Sequence, residues 1–75
     1  MRRRRAYVWE VPGPDGPGLS GEVVDLLAEA DGIGDDREAL QVRKRAARLT
    51  FAAAGVDPSP LDLLRWARKA RLGRG

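Results

Sequence analysis

The chain contains no cysteine and no histidine. It therefore has no disulfide framework, no zinc site of the usual ligand set and no imidazole for general acid–base work. Aromatic residues are scarce, with two tryptophans, one tyrosine and one phenylalanine, so the core must be built largely from aliphatic side chains and alanine. No apolar run approaches the 18 or more residues of a membrane span. The basic start, residues 1–5, is not followed by a secretory core, because the apolar stretch at 6–11 holds Glu10 and stops at Pro12. The absence of thiols fits a reducing compartment, and a cytoplasmic location without membrane contact is the expectation.

Other absences bear on chemistry. Ser20, Thr50 and Ser59 have no candidate base to activate them. Gly13, Gly16, Gly18 and Gly21 do not form a phosphate loop, since no Gly-Lys-Ser/Thr follows them. Asp31, Asp35, Asp36 and Glu38 surround two glycines without the D-x-D-x-D-G spacing of a calcium loop, and they read as helix-terminal residues. The expectation is a binding protein rather than an enzyme, with no cofactor, no metal and no small-molecule substrate.

What is present is one short chain of 75 residues with 14 basic and 11 acidic side chains, a net charge of +3 and a pI of about 10.2. A chain this short buries only about 60% of the surface its unfolded form exposes. A single core of this size rarely supplies more than about 3–5 kcal/mol, and small proteins commonly add a disulfide, a metal or a second subunit. With the first two excluded, self-association or a larger assembly is the expected source of added stability. The Arg, Ala, Gly and Pro bias is that of a GC-rich genome, such as an actinobacterium or its phage.

Charge is unevenly placed. Residues 1–18 carry four arginines against Glu10 and Asp15, whereas residues 19–34 carry only acids, Glu22, Asp25, Glu29 and Asp31. Residues 35–56 and 57–75 are each net basic. Two regions follow: a basic arm with a Pro/Gly linker over 1–18, and a small helical domain over 19–75.

In the arm, Tyr7, Trp9 and Val11 alternate with Ala6, Val8 and Glu10, the period-two pattern of a short strand. No second strand candidate exists, so this one must pair with another chain, pack as an extended arm or stay disordered. Residues 12–18 are Pro-Gly-Pro-Asp-Gly-Pro-Gly, a turn-rich linker.

The remaining sequence predicts three helices. The first is capped by Ser20, with Leu19 and Val24 as a hydrophobic staple, and buries Val23, Leu26, Leu27 and Ala30. Glu22, Asp25 and Glu29 line its opposite face. The second is capped by Asp35, with Glu38 three residues on, and runs to Gly55, a left-handed terminator. It carries two apolar stripes: Ala39, Val42, Ala46, Leu49 and Ala53, then Leu40, Ala47, Phe51 and Ala54, with Arg43 and Thr50 between. The two stripes suggest two surfaces, its own core and a second subunit. The third begins with Ser59 as cap, Pro60 at the first position and Asp62 completing a capping pair, and buries Leu63, Leu64, Trp66, Ala67 and Ala70. The expected fold is mostly α. It is a three-helix bundle whose second and third helices form an antiparallel hairpin, with an N-terminal extended or β-strand arm reaching outward.

Several constellations bear on binding. Arg2, Arg3, Arg4 and Arg5 beside Tyr7 and Trp9 put cations next to rings, a pattern suited to phosphate contact and base stacking, or to a solubilising tail. On the second helix, Arg37, Gln41, Lys44, Arg45 and Arg48 fall within about 100° of one another. Arg65, Arg68, Lys69 and Arg71 add positive charge on the third. The two basic faces form one phosphate-tracking surface if the helices pack as a hairpin; alternatively each is a solvated face, and cations near helix C-termini also complement the macrodipole.

The string Phe51-Ala52-Ala53-Ala54-Gly55-Val56, with Leu61 and Leu64 five and eight residues after Val56, resembles the spacing of a helix-turn-helix. It departs from that motif in Phe51, where a small residue is usual, in Pro58 and Pro60 at the turn, and in the length of the preceding helix. Any capped αα-hairpin gives the same string. A strand followed by two helices is similar to the ribbon-helix-helix arrangement, in which paired strands of a dimer read DNA, although the linker and a third helix depart from it.

Two functional readings stand. The first is a non-enzymatic nucleic-acid-binding protein, DNA before RNA and of the kind that serves as a regulator. It would use Arg2–Arg5, Arg37, Lys44, Arg45, Arg48, Arg65, Arg68, Lys69 and Arg71. The second is a protein–protein adaptor or assembly component, a phage-encoded one among the options. It would dock or self-associate through Tyr7, Val8, Trp9, Val11, Leu40 and Phe51.

Overall fold

The computed structural model describes residues 10–16 and 18–72, with the side chains of Arg71 and Leu72 excepted. Three helices account for most of them: α1 (Gly21–Asp31), α2 (Asp36–Ala54) and α3 (Pro60–Leu72). Among the described residues no strand forms. Residues 6–9 of the expected strand over 6–11 lie outside the described residues, and at its described end, Glu10 and Val11, the backbone turns.

Each helix starts where a side chain can take up an orphan backbone N–H. The Ser20 hydroxyl accepts from Val23 N at 3.3 Å. Asp35 Oδ1 accepts from Arg37 N at 2.8 Å and Glu38 N at 3.4 Å. Ser59 and Asp62 cap reciprocally, Asp62 N donating to Ser59 Oγ at 3.1 Å and Ser59 N to Asp62 Oδ2 at 3.0 Å. At the other end of α2, Gly55 takes φ 77°, a left-handed conformation that a Cβ would strain, and its N–H bonds back into the last turn. Of the two residues expected to form the staple, Leu19 packs on the core and Val24 is 50% exposed.

The longest helix, α2, packs against both α1 and α3. Ala30 at the end of α1 clusters with Ala39 and Val42 near the start of α2. Ser20 and Val23 at the other end of α1 share a groove with Leu49, Thr50 and Ala53 near the end of α2, so these two helices run antiparallel. The second stripe of α2, through Ala47 and Phe51, clusters with Leu63, Trp66 and Ala70 of α3.

This corrects the reading of Phe51 as a partner contact, since it lies 2% exposed in the core, whereas Leu40 on the same stripe is half-buried and Ala53 on the other is exposed. The alanines on these faces let the helices approach closely. Truncating Phe51 to alanine should cost about 3–5 kcal/mol, an amount that a core this small rarely exceeds in total, so urea denaturation of the variant should show little or no folded baseline. Between the stripes, Thr50 is buried and donates its hydroxyl hydrogen to the Ala46 carbonyl at 2.9 Å. Arg43 reaches Asp31 Oδ1 at 3.1 Å, tying the end of α1 to α2.

The described part of the arm is also corrected. Instead of reaching outward, Val11 packs against the core and Pro14 is buried. The cause is Trp66, which is almost fully enclosed and needs an acceptor for its indole N–H. Pro12 lies in a stretch with no regular structure, so its carbonyl has no ladder or helix partner, and it accepts from Trp66 Nε1 at 2.9 Å.

Replacing Trp66 with phenylalanine keeps an aromatic ring but removes that donor. The expected cost is about 1–3 kcal/mol in urea denaturation, with faster amide exchange at residues 11–16. Unchanged exchange there would show that the arm is held by other contacts.

Candidate nucleic-acid interface

The sequence pattern places two sets of cations, and the fold exposes both. On α2, Arg37, Gln41, Arg45 and Arg48 are exposed and Lys44 is half-buried, on the sector that neither α1 nor α3 covers. On α3, Arg65, Arg68 and Lys69 are exposed within about 100° of one another. The side chain of Arg71 and all of Arg2, Arg3, Arg4, Arg5, Tyr7, Val8 and Trp9 lie outside the described residues. Among the expected partner contacts, Val11 and Leu40 are half-buried and Phe51 is internal.

The two basic sets open onto different depressions. Arg65 and Lys69 border a groove whose other wall is Val11, Gly13 and Pro14 of the arm and whose floor is Phe51 and Trp66. Arg48 borders a depression at the α2–α3 turn with Ala52, Asp57 and Pro58. Leu61, 53% exposed, sits on the same face of α3 as Arg65 and Arg68, one and two turns before them. That apolar contribution was absent from the basic-stripe pattern, although its i, i+4, i+7 spacing with the two arginines is readable in the sequence.

Asp62 brings a carboxylate to the rim of the α3 groove. Its pKa is lowered from the ordinary 3.8, chiefly by the hydrogen bond from Ser59 N–H, then by the Ser59 side chain, with the Arg65 charge contributing less and slight desolvation opposing. The group is thus ionised at neutral pH, partly offsetting Arg65, and its main role is to cap α3.

Arg43, which the sequence pattern left between two apolar stripes, is committed to Asp31 and is not part of either basic face. The signal for this was its position: a cation inside an apolar sector needs a carboxylate from a neighbouring element. Among the described residues, no three of His, Cys, Asp and Glu converge as a metal would need, and no helix is long and apolar enough to cross a membrane. No known protein family, curated protein or solved structure matches the chain.

A depressed folded-state pKa means that Asp62 contributes stability above its unfolded value and loses it as pH falls through the lowered folded value. The stability gap between the native chain and Asp62→Asn should therefore be full at neutral pH and shrink below the ordinary carboxylate range. Chemical denaturation at a series of pH values checks this, and a gap constant down to strongly acid pH would rule out the ionised cap.

Proposed function

We propose that the protein is a non-enzymatic nucleic-acid-binding module, with DNA as the expected form and the cytoplasm as its compartment. The observation that carries the reading is the α3 face, where Arg65, Arg68 and Lys69 are exposed and only Arg65 is partly offset, by the nearby Asp62 carboxylate. A set of three cations on one helix face suits the evenly spaced phosphates of a backbone, which dominate affinity without reading sequence. In this reading α2 and α3 form an antiparallel hairpin that holds this face rigid.

The arginines at positions 2–5 end seven residues before Pro12 in the sequence, and in this reading they add nonspecific phosphate affinity. The α2 cations take a smaller part, because the carboxylates of the neighbouring α1 repel phosphate. The alternative reading, an adaptor docking through the residue 6–11 segment and apolar helix faces, is supported by exposed Leu61 and Val24. These are single residues on different helices rather than a continuous patch.

Fluorescence anisotropy of a labelled duplex at several salt concentrations tests the reading. Affinity should fall steeply with salt, and Arg65→Ala combined with Lys69→Ala should reduce the log–log slope by about two. No binding at low salt would end this reading and turn attention to a protein partner.

A further inference from the structure

The open side of the α1–α2 pair carries both signs of charge in separate stripes. Going round α2, its α1 side presents Val42, Ala46 and Leu49, and its α3 side presents Ala47 and Phe51. The third sector holds Arg37, Gln41, Arg45 and Arg48, all exposed. On α1, Val24, Leu27 and Ala28 line a depression with Pro14 and Ala70, which fixes that flank as the one facing the arm and α3. Glu22, Asp25 and Glu29, all exposed, lie on the other flank. Because the helices are antiparallel, the acidic flank of α1 and the basic sector of α2 emerge on the same side of the layer, the side away from α3. None of these six charged residues has an ion-pair partner among the described residues.

The stripes also match in height. Val23 sits at the level of Leu49 and Thr50, and Ala30 at the level of Ala39 and Val42. Glu22 and Asp25 therefore lie within a turn of Arg48, and Glu29 within a turn of Arg45. A two-fold axis parallel to the helices, placed in this face, keeps heights and exchanges sides. It lays the acidic stripe of each copy on the basic stripe of the other. A two-fold across the helices would instead oppose like charges.

We propose that this face is a self-complementary interface and that its occupant is a second copy of the chain, related by a two-fold axis parallel to α1 and α2. The interface is isologous, with Glu22, Asp25 and Glu29 of one protomer against Arg45 and Arg48 of its partner, and the same contact repeated in reverse. The face is two helices wide and, over the length of α1, about 16 Å long, so the dimer is small, polar and transient. It leaves both α3 faces outward. The proposal does not depend on the nucleic-acid reading, and its test contains no nucleic acid.

Sedimentation velocity on the full chain measures it. Dimerisation should appear at low salt and weaken at least about tenfold in about 0.5 M salt, where the screening length is only a few ångströms. Asp25→Lys with Glu29→Lys should make the chain monomeric, as should Arg45→Glu with Arg48→Glu, each at exposed positions with circular dichroism confirming the helices. Mixed one to one, the two variants should pair with each other, because both contacts become complementary again. A chain carrying all four substitutions should self-associate like the native one. A native chain that is monomeric at about 200 μM in low salt overturns the proposal. So does a dimer that either pair of reversals leaves within about twofold, or a failure of the mixed variants to pair while both remain helical.

Discussion

A tryptophan in a small core has to be buried and hydrogen-bonded at once, and the rest of this structure is arranged around that requirement. Trp66 fills the space between α2 and α3 with Phe51 and Leu63, yet its indole N–H cannot be left without an acceptor. The carbonyl of Pro12 supplies one from far away in sequence. That single bond converts a proline- and glycine-rich segment, which lacks regular backbone pairing, into a packed edge of the domain, with Val11 and Pro14 following it inward.

Helix α2 answers a related problem. The central helix is sandwiched between the other two, and most of its charged residues lie in the remaining sector. Alanine makes this feasible: Ala39, Ala46 and Ala47 are buried while adding little side-chain bulk to hold helices apart. The two polar residues caught inside the apolar arc are satisfied locally, Thr50 by a carbonyl one turn back and Arg43 by a carboxylate at the end of α1. The basic face of α2 is thus the part of its circumference left over after packing.

The elements of the fold were legible because their boundaries are chemical. Ser20, Asp35, Ser59 and Asp62 mark helix starts, Gly55 marks an end, and each occupies that place in the structure. Periodicity also picked out most of the buried positions on the three helices, although Ala53, read as part of an apolar stripe, is exposed. It could not say what covers an apolar stripe, which is why Phe51 reads as a partner contact in sequence and as core in space. Nor can local pattern reveal that Pro12 is the acceptor for Trp66, since a contact between residues 54 apart leaves no periodic trace. For the candidate site, the exposure of Arg65, Arg68 and Lys69 followed from spacing. That they border a groove walled by the arm did not, because the arm's path depends on that same remote contact.

The span of that contact has a kinetic consequence. The α1–α2 pair and the α2–α3 pair are joined by short connections and can form through local encounters, whereas docking Pro12 on Trp66 must bring together residues 54 apart. Loop-closure entropy places such an event late in folding, after the helices have already paired. The wall of the α3 groove therefore rests on a contact between residues 54 apart, whereas the cations beside it stand on the helix itself.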